Sequence, residues 1–147
     1  MRQALSPFPA QSAGHGQMFE LELPIPPSLN AMFANARGKG RVKTREYRMW
    51  IKHAKWDVWL VTKGKHKTIE GPFEVEIECD RPNMRRDLDN IIKPLLDILV
   101  SEDVVTDDRY VKRITAQWGE KKRVDECKAR IRVITDSAAG GCVTNNQ

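Results

Sequence analysis

Four segments of the chain alternate apolar and charged residues with a period of two. In residues 73–79 the odd positions are apolar and the even positions are glutamates, and residues 127–133 repeat the pattern with lysine and arginines. Residues 19–23 alternate in the same way, and residues 110–118 do so more loosely. Because successive side chains of a strand point to opposite faces, each segment predicts a strand with one buried face.

Two other segments carry apolar residues at helical spacing. The first predicted helix runs from Thr44, a suitable N-cap, to about Leu60. The second runs over residues 90–100, and because proline is tolerated near a helix start, Pro94 requires a beginning close to Asp89 or Asn90, both good caps. The apolar stripes are Tyr47, Trp50, Ile51, Ala54 and Val58 in the first helix and Ile91, Ile92, Leu95, Leu96 and Leu99 in the second.

The order β, loop, α, β, α, β, β predicts an α/β (α+β) fold. A mixed four-stranded sheet would be packed with two main helices, and 147 residues suit one domain, which we place at residues 17–135. Residues 1–16 and 136–147 lack periodicity and are predicted to be flexible tails. The link at residues 119–126 is short and highly charged, so it predicts a hairpin between the last two strands.

The net charge and the cysteines limit the classes of partner and the cellular compartment that suit this chain. A formal net charge of +5 suits a polyanion such as nucleic acid, although charge alone does not identify one. The cysteines Cys79, Cys127 and Cys142 show no zinc-ligand spacing, and reduced thiols are the simplest interpretation. The sequence shows no signal peptide and no apolar stretch approaching the roughly 18 residues of a membrane span. We therefore expect a cytoplasmic protein that does not associate with membranes.

Asp87 and Asp89 mark the most informative segment, which lies between a predicted strand and the second helix. In an extended chain residues two apart point the same way, so both carboxylates would converge on one spot. Such like charges repel unless a cation lies between them, and oxygen ligands suit a hard cation such as Mg²⁺ or Mn²⁺. The alternative is a helix N-terminus, where the dipole stabilises acids without any metal.

A second acidic pair, Asp107 and Asp108, follows the second helix and could return beside the first pair. Neighbours in an extended chain face opposite ways, so we expect only one of the two at the site; a polar turn is the alternative. Lys93 could contact a phosphate or the negative charge that develops on a leaving oxygen. Its alternative role is an ion pair with Asp97, one helical turn later, and Asp97 could itself support the site or a dimer interface.

Several basic and aromatic residues have both a DNA-binding and a structural interpretation. The long loop at residues 24–43 ends in a basic part with Arg41 and Lys43, for which we favour DNA contact. Arg85 and Arg86 flank the acidic segment and could hold phosphates, with ordinary surface solvation as the alternative. The tryptophans are predicted to pack in the core rather than to stack on bases: Trp50, Trp56, Trp59 and Trp118.

An ordered pattern of aspartates, asparagine and lysine resembles the RusA family of Holliday-junction resolvases. In this chain the pattern reads Asp87-Leu88-Asp89-Asn90-x-x-Lys93-x-x-x-Asp97, followed by Asp107-Asp108-x-x-Val111. A second segment is similar to the opening loop of that family and reads Pro26-Pro27-Ser28-Leu29-Asn30. The similarity extends roughly from Leu21 to Val133, which is most of the predicted domain.

The resemblance implies a function and a set of site residues. It implies metal-binding aspartates at Asp87, Asp89 and Asp108, an essential lysine at Lys93, and Mg²⁺ as the cofactor. It further implies a homodimer that makes paired nicks across four-way DNA junctions in recombination and repair, an activity common in phages and prophages. A C₂ dimer suits this task because a nearly two-fold symmetric junction needs two opposed nicks.

Three functions stay open on the sequence alone. The first is an endonuclease that resolves branched DNA. The second is a DNA-binding module whose acids merely cap a helix, and the third is a metal-dependent phosphoesterase acting on nucleotides or other phosphate esters. The basic loop favours the first two over the third.

Overall fold

The computed structural model describes residues 18–135 and contains the four predicted strands and the two predicted helices. In chain order the elements are β1 (Met18–Pro24), α1 (Leu29–Met32), β2 (Phe33–Ala36), β3 (Gly40–Lys43), α2 (Arg45–Thr62), β4 (Phe73–Arg81), α3 (Asp89–Ser101), β5 (Val111–Lys121) and β6 (Lys128–Ile134). Both predicted tails, residues 1–16 and 136–147, lie outside the described residues, as does residue 17.

The four long strands form one mixed sheet in the order β1-β6-β4-β5. β6 runs antiparallel to both of its neighbours, whereas β5 runs parallel to β4. This confirms the α+β class and the mixed four-stranded sheet. The predicted hairpin between β5 and β6 is wrong, because β4 lies between these two strands. A short 3₁₀ turn at Val124–Glu126 belongs to the connection that carries the chain across β4.

The core lies where the apolar faces of the sheet meet the apolar stripes of α2 and α3. All odd positions of β4 from Phe73 to Cys79 are buried, as the alternation predicts. In α2 the predicted stripe is confirmed, except that Ile51 is only partly buried. In α3 Ile98 joins the buried face, whereas the predicted Ile92 is partly exposed.

The two main helices begin close to the predicted positions. The Thr44 side chain accepts a hydrogen bond from the Tyr47 N–H, which confirms Thr44 as the N-cap of α2. α3 begins at Asp89 and its N-cap is Leu88, which makes no side-chain cap, so the predicted capping roles of Asp89 and Asn90 are wrong. The helical backbone thus starts one residue earlier than it would with Asp89 as the N-cap. Asp89 lies inside the first turn, where the helix dipole favours an acid.

The segment from residue 24 to 43 contains more regular structure than the predicted loop. It contains the short helix α1 and an antiparallel hairpin of β2 and β3, with Phe33 opposite Lys43. Gly38 and Gly40 adopt φ values of +77° and +73° at the turn, a conformation that side chains disfavour. The basic residues of this segment are therefore held on a hairpin.

The outer face of the sheet carries rows of alternating charge. Arg132 of β6 lies between Glu20 of β1, at 2.8 Å, and Glu76 of β4, at 3.2 Å. Arg130 of β6 contacts the buried carboxylate of Asp80 at 2.6 Å. These pairs connect the three strands on the face opposite to the hydrophobic core.

Two compositional predictions are also addressed by the structure. Cys79 and Cys127 are free thiols buried in the core, where they pack as small apolar residues, whereas Cys142 lies outside the described residues. Across residues 18–135, none of the helices combines the length and apolar character needed to cross a membrane.

Candidate active site

Asp87 and Asp89 lie exposed at the start of α3. The Asp87 carbonyl accepts a hydrogen bond from the Asn90 N–H at 3.2 Å, and Asp89 is the first residue of the helix. Leu88 between them is helical, with φ −62° and ψ −39°. The extended geometry predicted for this segment is therefore wrong, because residues two apart on a helical turn do not face each other. Both acids therefore belong to one turn at the start of α3.

Lys93 connects the start of α3 with the segment before β5. Its Nζ lies 2.6 Å from Oδ2 of Asp108 and 3.0 Å from Oδ1 of Asp97. Asp97 is one turn further along the same helix, so the predicted ion pair at this spacing is confirmed. Asp108 follows fifteen residues after Lys93, and the contact therefore brings the second acidic pair back to the first helical turns.

The pKa shifts in this cluster follow from one ammonium group that faces two carboxylates. The hydrogen bond from Lys93 lowers the pKa of Asp108 below its usual value. Hydrogen bonds to Asp108 and then to Asp97 raise the pKa of Lys93, since both carboxylates stabilise the ammonium form. The Lys93 side chain is 67% exposed, so a phosphate from solvent can reach it. The cluster is a charged, accessible patch rather than a buried structural pair.

Asp107 and Asp108 have different roles, as predicted for neighbours in the chain. Asp107 is the N-cap of a 3₁₀ turn at Asp108–Tyr110, and its side chain accepts a hydrogen bond from the Arg109 N–H at 2.9 Å. Asp108 instead faces Lys93. Only one of the two acids joins the cluster, and the polar-turn interpretation describes the other.

The first turn of α2 is close enough to the cluster to interact with it electrostatically. Burial raises the pKa of Tyr47, and the negative charge of Asp97 adds to this effect. Lys43, at the end of β3, lies over the Tyr47 ring at 6.0 Å. Lys43 of the basic hairpin and Asp97 of α3 therefore both lie within electrostatic range of Tyr47.

The four basic residues that are predicted to bind DNA differ in their surroundings. Arg41 is exposed and lies 4.2 Å over the Phe33 ring, while Lys43 and Arg85 are also exposed. Arg86 is half-buried and donates from Nη2 to the Pro26 carbonyl at 2.6 Å, and burial lowers its pKa. Arg86 therefore anchors the segment after β1, whereas the other three present their charge to solvent.

The donor chemistry of the predicted metal ligands fits a hard cation, because Asp87, Asp89 and Asp108 offer only carboxylate oxygens. Within residues 18–135, however, no three His, Cys, Asp or Glu side chains are arranged so that they could hold one ion together. Lys93 supplies the positive charge beside Asp108 in this arrangement. The metal site stays a prediction that rests on residue type.

Tyr47 and two tryptophans were not identified from the sequence as parts of a functional surface. Tyr47 belongs to the apolar stripe of α2, so its position gave no signal of a charged neighbour. Trp56 and Trp59 are exposed, which makes the prediction that they pack in the core wrong, whereas Trp50 is buried as predicted. Their positions outside the apolar stripe were the signal that could have indicated exposure.

Comparison with known proteins identifies relatives that span most of the domain. The profile of the family described as Endodeoxyribonuclease RusA matches residues 24–134, a range that includes both acidic segments and Lys93. A crossover junction endodeoxyribonuclease RusA of Escherichia coli O139:H28 is 31% identical over 115 residues, covering 69% of this chain and 88% of the relative. A protein with the same name from Enterobacteria phage HK97 is 32% identical, covering 70% of this chain and 84% of the relative. The protein of that name from Escherichia coli K12 is 33% identical, covering 63% of this chain and 76% of the relative.

Proposed function

Because the chain belongs to the RusA family of endodeoxyribonucleases, we propose that it resolves four-way junctions and related branched DNA. The observation that carries the proposal is the 2.6 Å contact between Lys93 and Asp108. These residues come from the two separate segments whose pattern resembles the family, and they meet on an exposed surface. The relatives are named for crossover junctions, which supports the choice of substrate.

We propose Mg²⁺ as the cofactor, with Mn²⁺ as a possible substitute. Asp87, Asp89 and Asp108 would hold the ion by turning their exposed or partly exposed side chains towards it, since all three are carboxylates near the first turns of α3. Held by these residues, the ion would supply polarisation of the scissile phosphate and a lower pKa for the attacking water. The ligands are exposed or partly exposed, so DNA has access to them.

The side chains around the ligands stabilise the charge that moves during hydrolysis. Lys93 contributes a fixed positive charge for a phosphate oxygen or for the leaving oxygen. Asp97 contacts Lys93 at 3.0 Å and thereby holds the ammonium near Asp108. Asp97 touches neither DNA nor metal in this proposal and acts as a positioning residue.

The exposed cations on either side extend the site into a DNA-binding surface. Arg41 and Lys43 on the hairpin and Arg85 before α3 would contact phosphates, which fixes the position of the DNA without reading its sequence. A homodimer would supply two such surfaces and two active sites, as paired symmetric nicks require. A DNA substrate also agrees with the expected cytoplasmic location.

The decisive experiment compares a synthetic four-way junction with a linear duplex, each with Mg²⁺ and with a chelator. We expect the protein to cut the junction only with Mg²⁺ and to leave the duplex intact. Asp87→Asn removes one ligand charge at an exposed position, so it should abolish cleavage while junction binding and the unfolding midpoint stay unchanged. The matched control is Asp125→Asn, the same change at an exposed residue of the β5–β6 connection.

Three outcomes would contradict the proposal in different ways. Cleavage by purified Asp87→Asn protein at the wild-type rate would remove the proposed site. Junction binding by the wild type without any Mg²⁺-dependent nicking would favour the non-catalytic DNA-binding module instead. Cleavage of simple phosphate esters, but not of junctions, would indicate a phosphoesterase with another substrate.

A further inference from the structure

Two stacked tryptophans lie on the outer surface of α2. The ring centroids of Trp56 and Trp59 are 5.3 Å apart, and the ring planes differ by 13°. The two residues are 58% and 46% exposed, respectively. They are three residues apart, so helical geometry places them on the same side of α2, away from the stripe that packs in the core. This pair is called the Trp56–Trp59 platform below.

The platform is bordered by a pocket and by cations. A surface pocket of about 390 Å³ is lined by Lys52, His53, Lys55, Trp56 and Trp59. Lys63 has a left-handed backbone at the end of α2, with φ 53°, and its Nζ lies 5.5 Å over the Trp59 ring. Residues 52–67 contain five lysines and a single acidic residue, Asp57. An aromatic surface is therefore surrounded by positive charge.

We propose that the Trp56–Trp59 platform is a stacking site for an unpaired DNA base, with the neighbouring lysines holding the adjacent phosphates. Aromatic rings that stack on bases within a positively charged surface are the usual means of binding single-stranded nucleic acid. In a duplex every base face is covered by the next base pair, so only an unpaired base can reach a tryptophan ring. The platform thus selects DNA with unpaired bases, such as those at a branch point or a single-stranded end.

The charge of this surface argues against a second copy of the chain as its occupant. In a two-fold dimer the same patch meets itself, so the lysines of residues 52–67 would face the same lysines of the partner. Like charges at an interface are unfavourable, whereas the DNA backbone supplies the complementary charge. DNA therefore satisfies both the aromatic and the charged part of the surface.

The stacking site rests on the proposed function for its biological setting. Its test measures DNA binding and does not require cleavage. The full-length protein is titrated in chelator with labelled oligo(dT), with a duplex, and with a four-way junction carrying unpaired bases at its centre. Wild type and a Trp56→Ala/Trp59→Ala double variant are compared by anisotropy and by quenching of tryptophan fluorescence. We expect the double variant to bind oligo(dT) roughly ten- to a hundredfold more weakly, with duplex affinity nearly unchanged.

Two further variants separate stacking from a general loss of apolar surface. Trp56→Phe/Trp59→Phe keeps aromatic faces and should recover most of the oligo(dT) affinity. Val61→Ala removes an exposed apolar side chain of α2 outside the pocket and should bind like wild type. Circular dichroism of each variant checks that the fold is retained.

The outcomes distinguish this inference from the proposed nuclease function. Equal oligo(dT) affinity of wild type and the double variant, or an equal loss on duplex, would overturn the stacking site even if junction cleavage is found. A change of mass in sedimentation without a change in DNA affinity would assign the platform to a protein interface and would also overturn it. Tryptophan-dependent binding of oligo(dT) by a protein that cuts no junction would uphold the stacking site while removing the nuclease proposal.

Discussion

Thr44 illustrates how one side chain positions two neighbouring parts of the molecule. Its hydroxyl donates to the Ala31 carbonyl at 2.5 Å and accepts from the Tyr47 N–H at 3.1 Å. The first contact holds the segment that leads into the basic hairpin, and the second begins α2. Tyr47 lies close enough to Asp97 and Lys93 for their charges to shift its pKa in opposite directions, so the same cap lies near the candidate site.

Replacing Thr44 by valine should lower the free energy of unfolding by about 1–2 kcal/mol. Valine has nearly the shape of threonine, so the change removes both hydrogen bonds with little effect on packing. Thr44→Ser keeps the hydroxyl and should stay within about 0.5 kcal/mol of wild type. Urea unfolding followed by circular dichroism measures both values, and equal losses for valine and serine would contradict the assigned role of the hydroxyl.

At the scale of elements, the charge rows on the outer sheet face explain why β6 lies between β1 and β4. β1 and β4 present glutamates where β6 presents Arg130 and Arg132, and the antiparallel register sets Glu78 opposite Arg130 and Glu76 opposite Arg132. Asp80 extends the acidic row of β4 and is almost fully buried. Opposite charges facing each other stabilise the observed strand order, whereas a β5–β6 hairpin would pair β6 with another cationic strand.

Asp80 gives this arrangement a measurable pH dependence. Burial alone would raise the pKa of Asp80, but hydrogen bonds from Arg130 and from the Lys128 N–H outweigh it, and the pKa is lowered. A lowered pKa means that the ionised carboxylate stabilises the fold above its unfolded pKa of about 3.9. That stabilisation is lost as the pH falls from there towards the lower pKa of the folded state.

We therefore expect Asp80→Asn to be less stable than wild type by about 3 kcal/mol at pH 7, because it leaves Arg130 without its closest carboxylate. The gap should narrow as the pH falls below about 4, where the wild-type carboxylate is progressively protonated. Urea unfolding across this pH range measures the gap. Asp125→Asn, the same change at an exposed carboxylate, should alter the free energy of unfolding only slightly at pH 7. A gap for Asp80→Asn that widens in acid would contradict the assignment.

At the scale of the whole molecule, the net charge of +5 is distributed unevenly. The glutamates are concentrated on the outer sheet face, where Arg130 and Arg132 pair with several of them. Exposed cations form separate groups on the β2–β3 hairpin, along residues 52–67 and on β5. Such separated basic regions suit contacts with a DNA backbone at more than one place on the protein.

The salt dependence of DNA affinity tests this distribution directly. In chelator, the logarithm of the junction association constant should fall linearly with the logarithm of salt concentration, by about 0.9 per phosphate contact. Arg41→Ala/Lys43→Ala removes two proposed contacts and should reduce the slope by roughly 2. Arg123→Ala removes an exposed cation already paired with Asp125 and should leave the slope unchanged. A flat salt response of the wild type would contradict a large basic DNA-binding surface.

Local patterns were sufficient to predict the elements and part of the site. Alternation in β4 and β6 predicted strands and their buried faces, and the Thr44 cap predicted where α2 begins. The opposite orientation of neighbouring residues predicted that only one of Asp107 and Asp108 joins Lys93. These inferences succeed because they depend on interactions between residues that are close in the chain.

Long-range contacts decided the remaining features. The short β5–β6 link predicted a hairpin, but pairing of Arg130 and Arg132 with carboxylates of β4 draws β6 to the other side of that strand. The sequence alone determined which segments become strands and helices, since backbone periodicity is a local property. Strand order and the Lys93–Asp108 contact depend on side chains far apart in the chain, and only the packed tertiary structure brings them together.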